Sequence, residues 1–327
     1  MQDINTKQLK KNAYRITKDR GITALRIRVP GGHLNVRFFD IIKGIAEKYG
    51  NGSVHITTRQ GFEIPGIKME HMEEINRLIS PFIADLKELG VNIDTDTQGY
   101  PAAGTRNISA CIGNKVCQFA NFDTTALAYE IEKAVFPHDF HVKIALTGCP
   151  NDCIKAHMQD FGIIGQVEPN YREERCVGCQ ACVKNCKKNV TGALQFVNYK
   201  VVRDAYRCIG CGECILKCPT SAWIRGKKFY RVVIMGRTGK KNPRLAQIFL
   251  EWVEIEPVIQ IIRNTYHFID KYIDRTLEKE HIGYIVDREG YQKFITEVLT
   301  GVMLNKEAKL AQSINYCGYH YDKNLIF

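Results

Sequence analysis

The stretch "LTGCPNDC", Leu146–Cys153, places two cysteines around a Pro-Asn-Asp turn, directly after the apolar segment "HVKIA". The first cysteine therefore stands where a predicted strand ends and the backbone is free to wrap around a ligand. Upstream, "CIGNKVC" offers Cys111 and Cys117 in a C-x5-C pattern. Together the two pairs supply four thiols, enough to hold an iron–sulfur cluster. The alternative is that these are four ordinary buried or free thiols.

Two further cysteine runs share the spacing C-x2-C-x2-C-x3-C, and Pro219 follows the second run. This spacing is typical of bacterial ferredoxins with two four-iron clusters, in which the fourth cysteine of each run binds the other cluster. Lys187 replaces the usual proline after the first run, which affects a turn and not a ligand. Zinc is the alternative, but zinc prefers paired CxxC motifs. The predicted first quartet is Cys176, Cys179, Cys182 and Cys218, and the predicted second quartet is Cys208, Cys211, Cys214 and Cys186.

The composition is that of an ordinary globular protein, with 327 residues, 45% hydrophobic and 25% charged. This length predicts two or three domains. Thirteen cysteines, mostly at short spacings, indicate metal sites in a reducing compartment. We expect a cytoplasmic protein without membrane contact, because no signal-like segment and no 18-residue uncharged apolar run occur.

The formal charge of +11 would suit a nucleic-acid partner, but it counts every cysteine as neutral. Three four-iron clusters held by thiolates would together contribute about −6. We therefore expect no nucleic-acid binding.

Hydrophobic periodicity predicts where the strands and helices of the chain lie. "TALRIRV", residues 23–29, alternates like a strand, a helix is predicted over 34–49, two short strands over 53–67 and another helix over 69–89. This order predicts an α+β unit rather than a doubly wound sheet. Beyond it we predict strands at 141–146, 161–167 and 229–236 and helices over 245–272 and 288–299. The predicted domains are 1–90, a core in two parts at 91–167 and 226–327, and a ferredoxin inserted at 168–225.

The pairing of C-x5-C with C-x3-C resembles the siroheme-dependent nitrite and sulfite reductase family. Four further stretches carry the same resemblance: "LRIRVPGG", "VHITTRQGFEIPG", "TRNISAC" and "GRTGKKNPR". It implies a ferredoxin-like half-domain, an α+β core that binds siroheme and a 4Fe-4S cluster, and a two-cluster ferredoxin within that core. It also implies that Cys111, Cys117, Cys149 and Cys153 hold the core cluster and that the Cys153 sulfur bridges to the siroheme iron. The implied cofactors are siroheme and three 4Fe-4S clusters.

The resemblance also assigns basic residues, since an anion bound on iron needs fixed cations and proton donors. By this resemblance, His141 stands where assimilatory relatives have the first lysine of a Lys-x-Lys pair. Because an imidazole holds its proton less firmly at neutral pH than an amine does, this position is the weaker proton donor at that pH. Each assignment has a plainer alternative, such as a solvated surface charge for Arg26. The implied substrate-side residues are Arg26, Arg106, His141 and Lys143, and the implied siroheme contacts are Arg59, Arg237 and Arg244.

The implied function is the six-electron reduction of sulfite to sulfide. Electrons would arrive from ferredoxin-like and flavin/NAD-binding donor subunits through the inserted ferredoxin. Two alternatives stay open, namely reduction of nitrite to ammonia and a three-cluster electron-transfer subunit without haem. Because assimilatory relatives join two half-domain-plus-core units and this chain has one, we expect a homo-oligomer whose sites take residues from two copies.

Overall fold

The computed structural model describes residues 13–91, 107–136, 138, 140–239, 243–277 and 280–314. Its described residues form two compact units, one drawn from 1–110, 125–144 and 262–290, the other from 111–124, 145–261 and 291–327. The elements, in chain order, are β1 (Tyr14–Ile16), β2 (Ile22–Ile27), α1 (Phe38–Lys48), β3 (His55–Ile56), β4 (Phe62–Lys68), α2 (Met72–Leu78), α3 (Ser80–Glu88), β5 (Ser109–Ala110), α4 (Thr124–Val135), β6 (Ile144–Thr147), β7 (Phe161–Tyr171), α5 (Ala181–Asn189), β8 (Leu194–Val197), β9 (Lys200–Arg203), α6 (Glu213–Lys217), β10 (Trp223–Ile234), β11 (Gln247–Val253), α7 (Ile255–Tyr272), α8 (Ile282–Glu289), α9 (Tyr291–Val298) and β12 (Lys309–Leu310).

The first unit contains an antiparallel four-stranded sheet with the order β1-β2-β4-β3. Leu25 and Ile27 of β2 and Ile64 and Ile67 of β4 are buried in its core. Helix α1 joins that core through the apolar face that begins at Phe38, because residues three and four apart lie on one side of a helix. The predicted order of strand, helix, paired strands and helix is confirmed here.

The predicted helix over 69–89 is interrupted in the middle. Helix α2 ends at Leu78 and α3 begins at Ser80, with Pro81 in its first turn. Proline has no N–H to donate, and its ring clashes with the carbonyl four residues earlier. It therefore ends one helix and suits the start of the next.

The second unit contains strands in the order β12-β11-β10-β7-β6, in which the β12–β11, β11–β10 and β10–β7 pairs are antiparallel. The prediction of a helix from 245 onward is wrong at its start, because Gln247–Val253 is strand β11 and the helix begins at Ile255. A strand was hard to predict here, since Phe249 and Leu250 are both buried and alternation is lost. The β10–β11 register shifts around Val232, as expected where a bulge places successive residues on one face.

Two other helices depart from the sequence expectation. The helix expected over 288–299 begins at Tyr291, because α8 ends at Glu289 and Gly290 has a φ of 94°. Helix α4 was not predicted at all. None of the helices in the described ranges is long and apolar enough to cross a membrane.

The cysteine-rich segment leaves the sheet between two paired strands. Tyr171 at the end of β7 lies opposite Trp223 at the start of β10, so the chain departs and returns at the same place. Between them lie α5, the hairpin β8–β9 and α6. The hairpin turn has positive φ at both Asn198 and Tyr199, the geometry of a type I′ turn. The limits predicted for the four domains stay predictions.

Candidate functional site

The loop after β6 is tied to the upstream cysteine pair by backbone hydrogen bonds. The Gly148 N–H donates to Cys111 Sγ at 3.1 Å, and the Cys111 N–H donates to the Leu146 carbonyl at 3.0 Å. The Asn121 N–H donates to the Gly148 carbonyl at 2.7 Å. A Cβ at position 148 would lie 2.7 Å from the Ala120 Cβ, so only glycine fits without displacing a neighbour.

The structure brings together the four cysteines predicted to hold the core cluster. Cys149 is buried, and burial raises the pKa of its thiol; the neighbouring thiols Cys117, Cys153 and Cys111 raise it too, against one backbone hydrogen bond. Cys153 is exposed. A cationic iron centre would stabilise thiolates at these four positions.

Asp152 fixes the loop next to Cys153 and was not predicted from the sequence. Its carboxylate accepts hydrogen bonds from the Ala156 N–H at 2.6 Å and the His157 N–H at 3.2 Å, and it contacts His157 Nδ1 at 2.7 Å. Burial raises the pKa of Asp152, but these bonds outweigh it and hold the pKa below its ordinary value. The only signal for this role in the sequence is that an acidic residue stands four positions before the short helical turn Ala156–Met158.

The crossed second quartet is brought together around one cavity. Its four cysteines, Cys186, Cys208, Cys211 and Cys214, all line that cavity. Burial raises the pKa of Cys211 to about 11 and raises the pKa of Cys214 further. Cys186 therefore lies with the cysteines of the other run, as the ferredoxin spacing predicts.

The first quartet shows the same crossing. Cys218 and Cys179 are electrostatic neighbours of Cys182, and the Tyr171 hydroxyl contacts the Cys176 thiol. Burial raises the pKa of Cys218, but hydrogen bonds from Trp223, Thr220 and Ala222 outweigh it and lower the pKa. The Ala222 N–H donates to its sulfur at 3.2 Å. Such bonds stabilise a thiolate and tune a bound cluster.

A single metal ion needs a tighter arrangement than these cysteines show. In the described ranges no three His, Cys, Asp or Glu side chains are placed to share one ion. Tetrahedral zinc with Zn–S bonds of about 2.3 Å requires sulfur atoms about 3.8 Å apart. A four-iron cluster instead binds each thiolate to its own iron, so its ligands stand farther apart. Every cysteine described is a free thiol.

The first unit contains a basic cavity of about 180 Å³ beside β2 and β4. Arg26 and Arg59 both line it, together with His55, Thr57 and Thr58. These two arginines were predicted to contact substrate and siroheme, and the structure brings them together. With Arg15 and Arg28, the lining contains four arginines and one carboxylate, that of Glu63, beside the hydroxyl and imidazole groups. This excess of cationic groups suits an anion.

Three residues that were not predicted from the sequence, Arg15, Glu63 and Asn107, shape this cavity. Arg26 Nε donates to Glu63 at 2.8 Å, and Arg15 reaches the same carboxylate at 2.9 Å. Burial raises the pKa of Glu63, but the two arginines outweigh it and hold the pKa below its ordinary value. Asn107 Nδ2 donates to the Arg59 carbonyl at 2.6 Å and fixes that loop. The sequence gave no signal for these contacts, because the two residues of each pair lie far apart along the chain.

The remaining predicted residues lie elsewhere. His141 and Lys143 belong to the first unit but are not among the described residues that line the basic cavity. The His141 ring packs edge-on against His281, with centroids 4.6 Å apart, and Lys143 is buried. Arg106 lies outside the described residues.

Arg237 and Arg244 are both buried in the second unit, where each donates its backbone N–H to the other's carbonyl at 2.8 and 2.9 Å. Arg244 Nε also donates to the Met235 carbonyl at 3.2 Å. The turn thus places the two arginines directly opposite each other in a backbone pairing. Residues 240–242 of the same loop lie outside the described residues.

Comparison with known families identifies the class of protein. Residues 102–306 match the nitrite and sulphite reductase 4Fe-4S domain, and residues 15–81 match the nitrite/sulfite reductase ferredoxin-like half domain. Since the first match spans more than half of the chain, the chain belongs to the nitrite and sulphite reductase family. The predicted family, its mixed α/β fold and its half-domain are confirmed, whereas the inserted ferredoxin stays a prediction.

Individual relatives narrow the comparison. The chain is 44% identical over 307 residues to the C subunit of the anaerobic sulfite reductase of Salmonella typhimurium, covering 93% of this chain and 91% of the relative. It is 32% identical over 284 residues to the coenzyme F420-dependent sulfite reductase of Methanocaldococcus jannaschii, covering 85% of this chain and 42% of the relative. A crystal structure of dissimilatory sulfite reductase I shares the fold with a TM-score of 0.65 at 15% identity, covering 92% of this chain and 73% of that one.

Proposed function

We propose that this chain is the siroheme-binding subunit of a sulfite reductase that reduces sulfite to sulfide with six electrons. The observation that carries the proposal is the core quartet, in which a buried Cys149 and an exposed Cys153 meet Cys111 and Cys117. A cubane needs all four thiolates, while the exposure of Cys153 leaves its sulfur accessible to a second metal. The 44% identity to one chain of a sulfite reductase supports sulfite as the substrate.

The residues present fit a siroheme. When bound, siroheme supplies an iron with an open coordination position that accepts single electrons. Its eight carboxylates carry about −8 and need cationic partners, and we propose Arg59, Arg237 and Arg244 for this role; the backbones of Arg237 and Arg244 are paired. The hydrogen bonds around Asp152 would hold Cys153 in a fixed direction as the bridging ligand.

Substrate binding is assigned to the basic residues of the first unit. Arg26 would bind the sulfite oxygens, because its guanidinium is oriented by the ionised Glu63. Arg106, His141 and Lys143 would add charge and donate protons to the departing oxygens. As the pH rises, an imidazolium loses its proton before an ammonium does. His141 would therefore stop donating protons at a lower pH than a lysine at the same position would.

We further propose three 4Fe-4S clusters, one in the core and two in an inserted ferredoxin. The cavity shared by Cys186 and the three cysteines of the other run supports the crossed ligation. The ferredoxin would relay single electrons from ferredoxin-like and flavin/NAD-binding donor subunits. The Salmonella relative is named as one subunit of its reductase, which supports assembly of this chain with other chains. We propose that the assembly is cytoplasmic.

A single substitution tests the bridge. In anaerobically purified Cys153→Ser protein we expect the loss of the Soret band and of extractable tetrapyrrole, while the iron of the ferredoxin clusters remains. Cys179→Ser is the matched control, because it should remove ferredoxin iron and leave the tetrapyrrole. Full sulfite reduction by Cys153→Ser protein would refute the assignment. Wild-type protein without tetrapyrrole would identify a three-cluster electron-transfer subunit, and a higher kcat/KM for nitrite than for sulfite would identify a nitrite reductase.

The proposed homo-oligomer requires its own test. If each site takes cysteines from one copy and basic residues from another, mixing inactive Cys153→Ser chains with inactive Lys143→Ala chains should restore part of the activity. No recovery in the mixed sample would exclude shared sites.

A further inference from the structure

The second quartet lies against the sheet of its unit. The Val167 N–H of β7 donates to the Gly210 carbonyl at 2.9 Å, and Gln166 Nε2 donates to the Ile209 carbonyl at 3.1 Å. A Cβ at Gly210 would meet both Gln166 and Trp252 at 2.9 Å. Gly210 and Gly212 of this loop are therefore buried against the sheet, and none of the four cysteines of the second quartet is fully exposed.

A short series of contacts connects this loop with the core quartet. A Cβ at Gly212 would lie 3.4 Å from Asn121 Oδ1, so the two residues are in contact distance. The Asn121 N–H donates to the Gly148 carbonyl at 2.7 Å, and the Gly148 N–H donates to Cys111 Sγ at 3.1 Å. Electrons that leave the second quartet thus have a short route to a core thiolate, made of covalent bonds, two hydrogen bonds and one through-space contact between Gly212 and Asn121.

The first quartet has a solvent-facing side. Cys179 is exposed, Val177 beside it is 68% exposed, and Tyr199 at the tip of the β8–β9 hairpin is 91% exposed. The Phe196 ring connects them, since it lies 3.5 Å from the Cβ position of Gly178 and contacts the Tyr199 ring edge-on. Val177, Phe196 and Tyr199 form an apolar patch over the cysteine loop, which we call the entry patch.

The exposed charges of the segment that carries the entry patch are basic. From Cys176 to Cys218, a fully described stretch, every exposed charged side chain is a cation, and Asp204 and Glu213 are only partly exposed. These exposed cations are Lys184, Lys187, Lys188, Lys200, Arg207 and Lys217. Just upstream, residues 172–175 carry two arginines and two glutamates and add no net charge, although Glu173 pairs with Lys200. The segment thus carries a small apolar patch together with exposed charges that are mostly basic, a combination typical of a surface that selects its partner electrostatically.

We propose that the entry patch is the docking surface for an acidic one-electron carrier protein and that electrons pass from the first quartet to the second and then to the core quartet. This rests on the proposed function, because it assumes clusters in all three quartets. In each docking event the reduced carrier loses one electron and is oxidised, and the first-quartet cluster gains that electron. No bond forms or breaks. The exposed basic residues of the segment from Cys176 to Cys218 favour a carrier of net negative charge over a basic or neutral one.

The test measures binding of a reduced, acidic two-cluster ferredoxin to the anaerobic full-length protein by biolayer interferometry at 50 and 200 mM salt. We expect Lys187→Glu/Lys188→Glu to weaken binding at least tenfold at 50 mM salt, with a smaller effect at 200 mM. The matched control is Lys18→Glu/Lys43→Glu, which changes the net charge equally at two exposed lysines of the first unit. It should change the Kd less than twofold. Iron content shows that each variant retains its clusters.

A second pair of variants tests the apolar centre. Tyr199→Asn should weaken ferredoxin binding, since asparagine tolerates the positive φ of 61° but removes the ring. Met303→Asn, at a residue that is 88% exposed elsewhere in the same unit, should not. Equal effects of the variant and control pairs, or tighter binding of a basic cytochrome c, would overturn the docking surface. Sulfite reduction driven by reduced methyl viologen should be unchanged in all four variants, and its absence in wild type would refute the proposed function alone.

Discussion

Replacing Gly148 with alanine tests how tightly the core cysteine loop is packed. The new Cβ would lie 2.7 Å from the Ala120 Cβ and 3.1 Å from the Ala120 Cα, whereas carbon atoms in contact prefer about 3.5–4.0 Å. One segment must therefore move by about 1 Å. Both segments are held in place, because the Ala120 N–H donates to the Cys117 carbonyl and the Asn121 N–H to the Gly148 carbonyl. Overpacking of this kind costs about 1–3 kcal/mol.

The expected result is a lower Tm for Gly148→Ala, by about 5 °C, and less iron per chain, measured by circular dichroism and iron assay on anaerobic protein. Gly44→Ala is the matched control, because Gly44 lies inside α1 and no atom is within 4 Å of its Cβ position. Alanine at a helix interior is favoured over glycine by about 0.8–1.0 kcal/mol, so the control should melt at the same or a higher temperature. A Gly148→Ala protein that melts like wild type and retains its iron would refute the packing argument.

Two further predictions concern ion pairs of the first unit. Arg28 and Glu132 form a buried ion pair, so Glu132→Ala should lower the free energy of unfolding, measured in urea, by about 3–5 kcal/mol. The double variant Arg28→Met/Glu132→Leu should lower it much less, because no charge is left buried without its partner. Equal losses in the two variants would contradict the pairing. Glu63 has a lowered pKa in the folded protein, so its contribution is present above its unfolded pKa of about 4.3 and is lost as pH falls through the folded value. The Tm gap between wild type and Glu63→Gln should therefore narrow between pH 7 and pH 4, and a constant gap would exclude this role.

The grouping of the cysteines could be predicted from the sequence, because the spacing typical of two-cluster ferredoxins implies which cysteines lie together. The C-x2-C-x2-C-x3-C runs allowed the crossing of Cys186 and Cys218 to be predicted, and the structure places both with the opposite run. Strand β11 was missed because a register shift in its pairing with β10 decides which of its residues are buried, and the sequence of β11 alone does not show that shift. Glu63 was also missed, because its role depends on cross-strand pairing with Arg26 over a separation of 37 residues.

The placement of the basic residues, more than their number, determines which partner is attracted. Bound siroheme and three cubanes would take the formal charge from +11 to about −3, so an acidic carrier gains nothing from the net charge of the whole protein. From Cys176 to Cys218 the seven basic and two acidic residues leave about +1 after two cubanes of about −2 each. With these cofactors bound, the molecule would be negative overall but positive in the segment from Cys176 to Cys218, and it would orient an approaching acidic carrier toward that segment. This steering should weaken as the Debye length shortens from about 10 Å at 0.1 M salt, so the association rate should fall with salt more steeply than the dissociation rate changes.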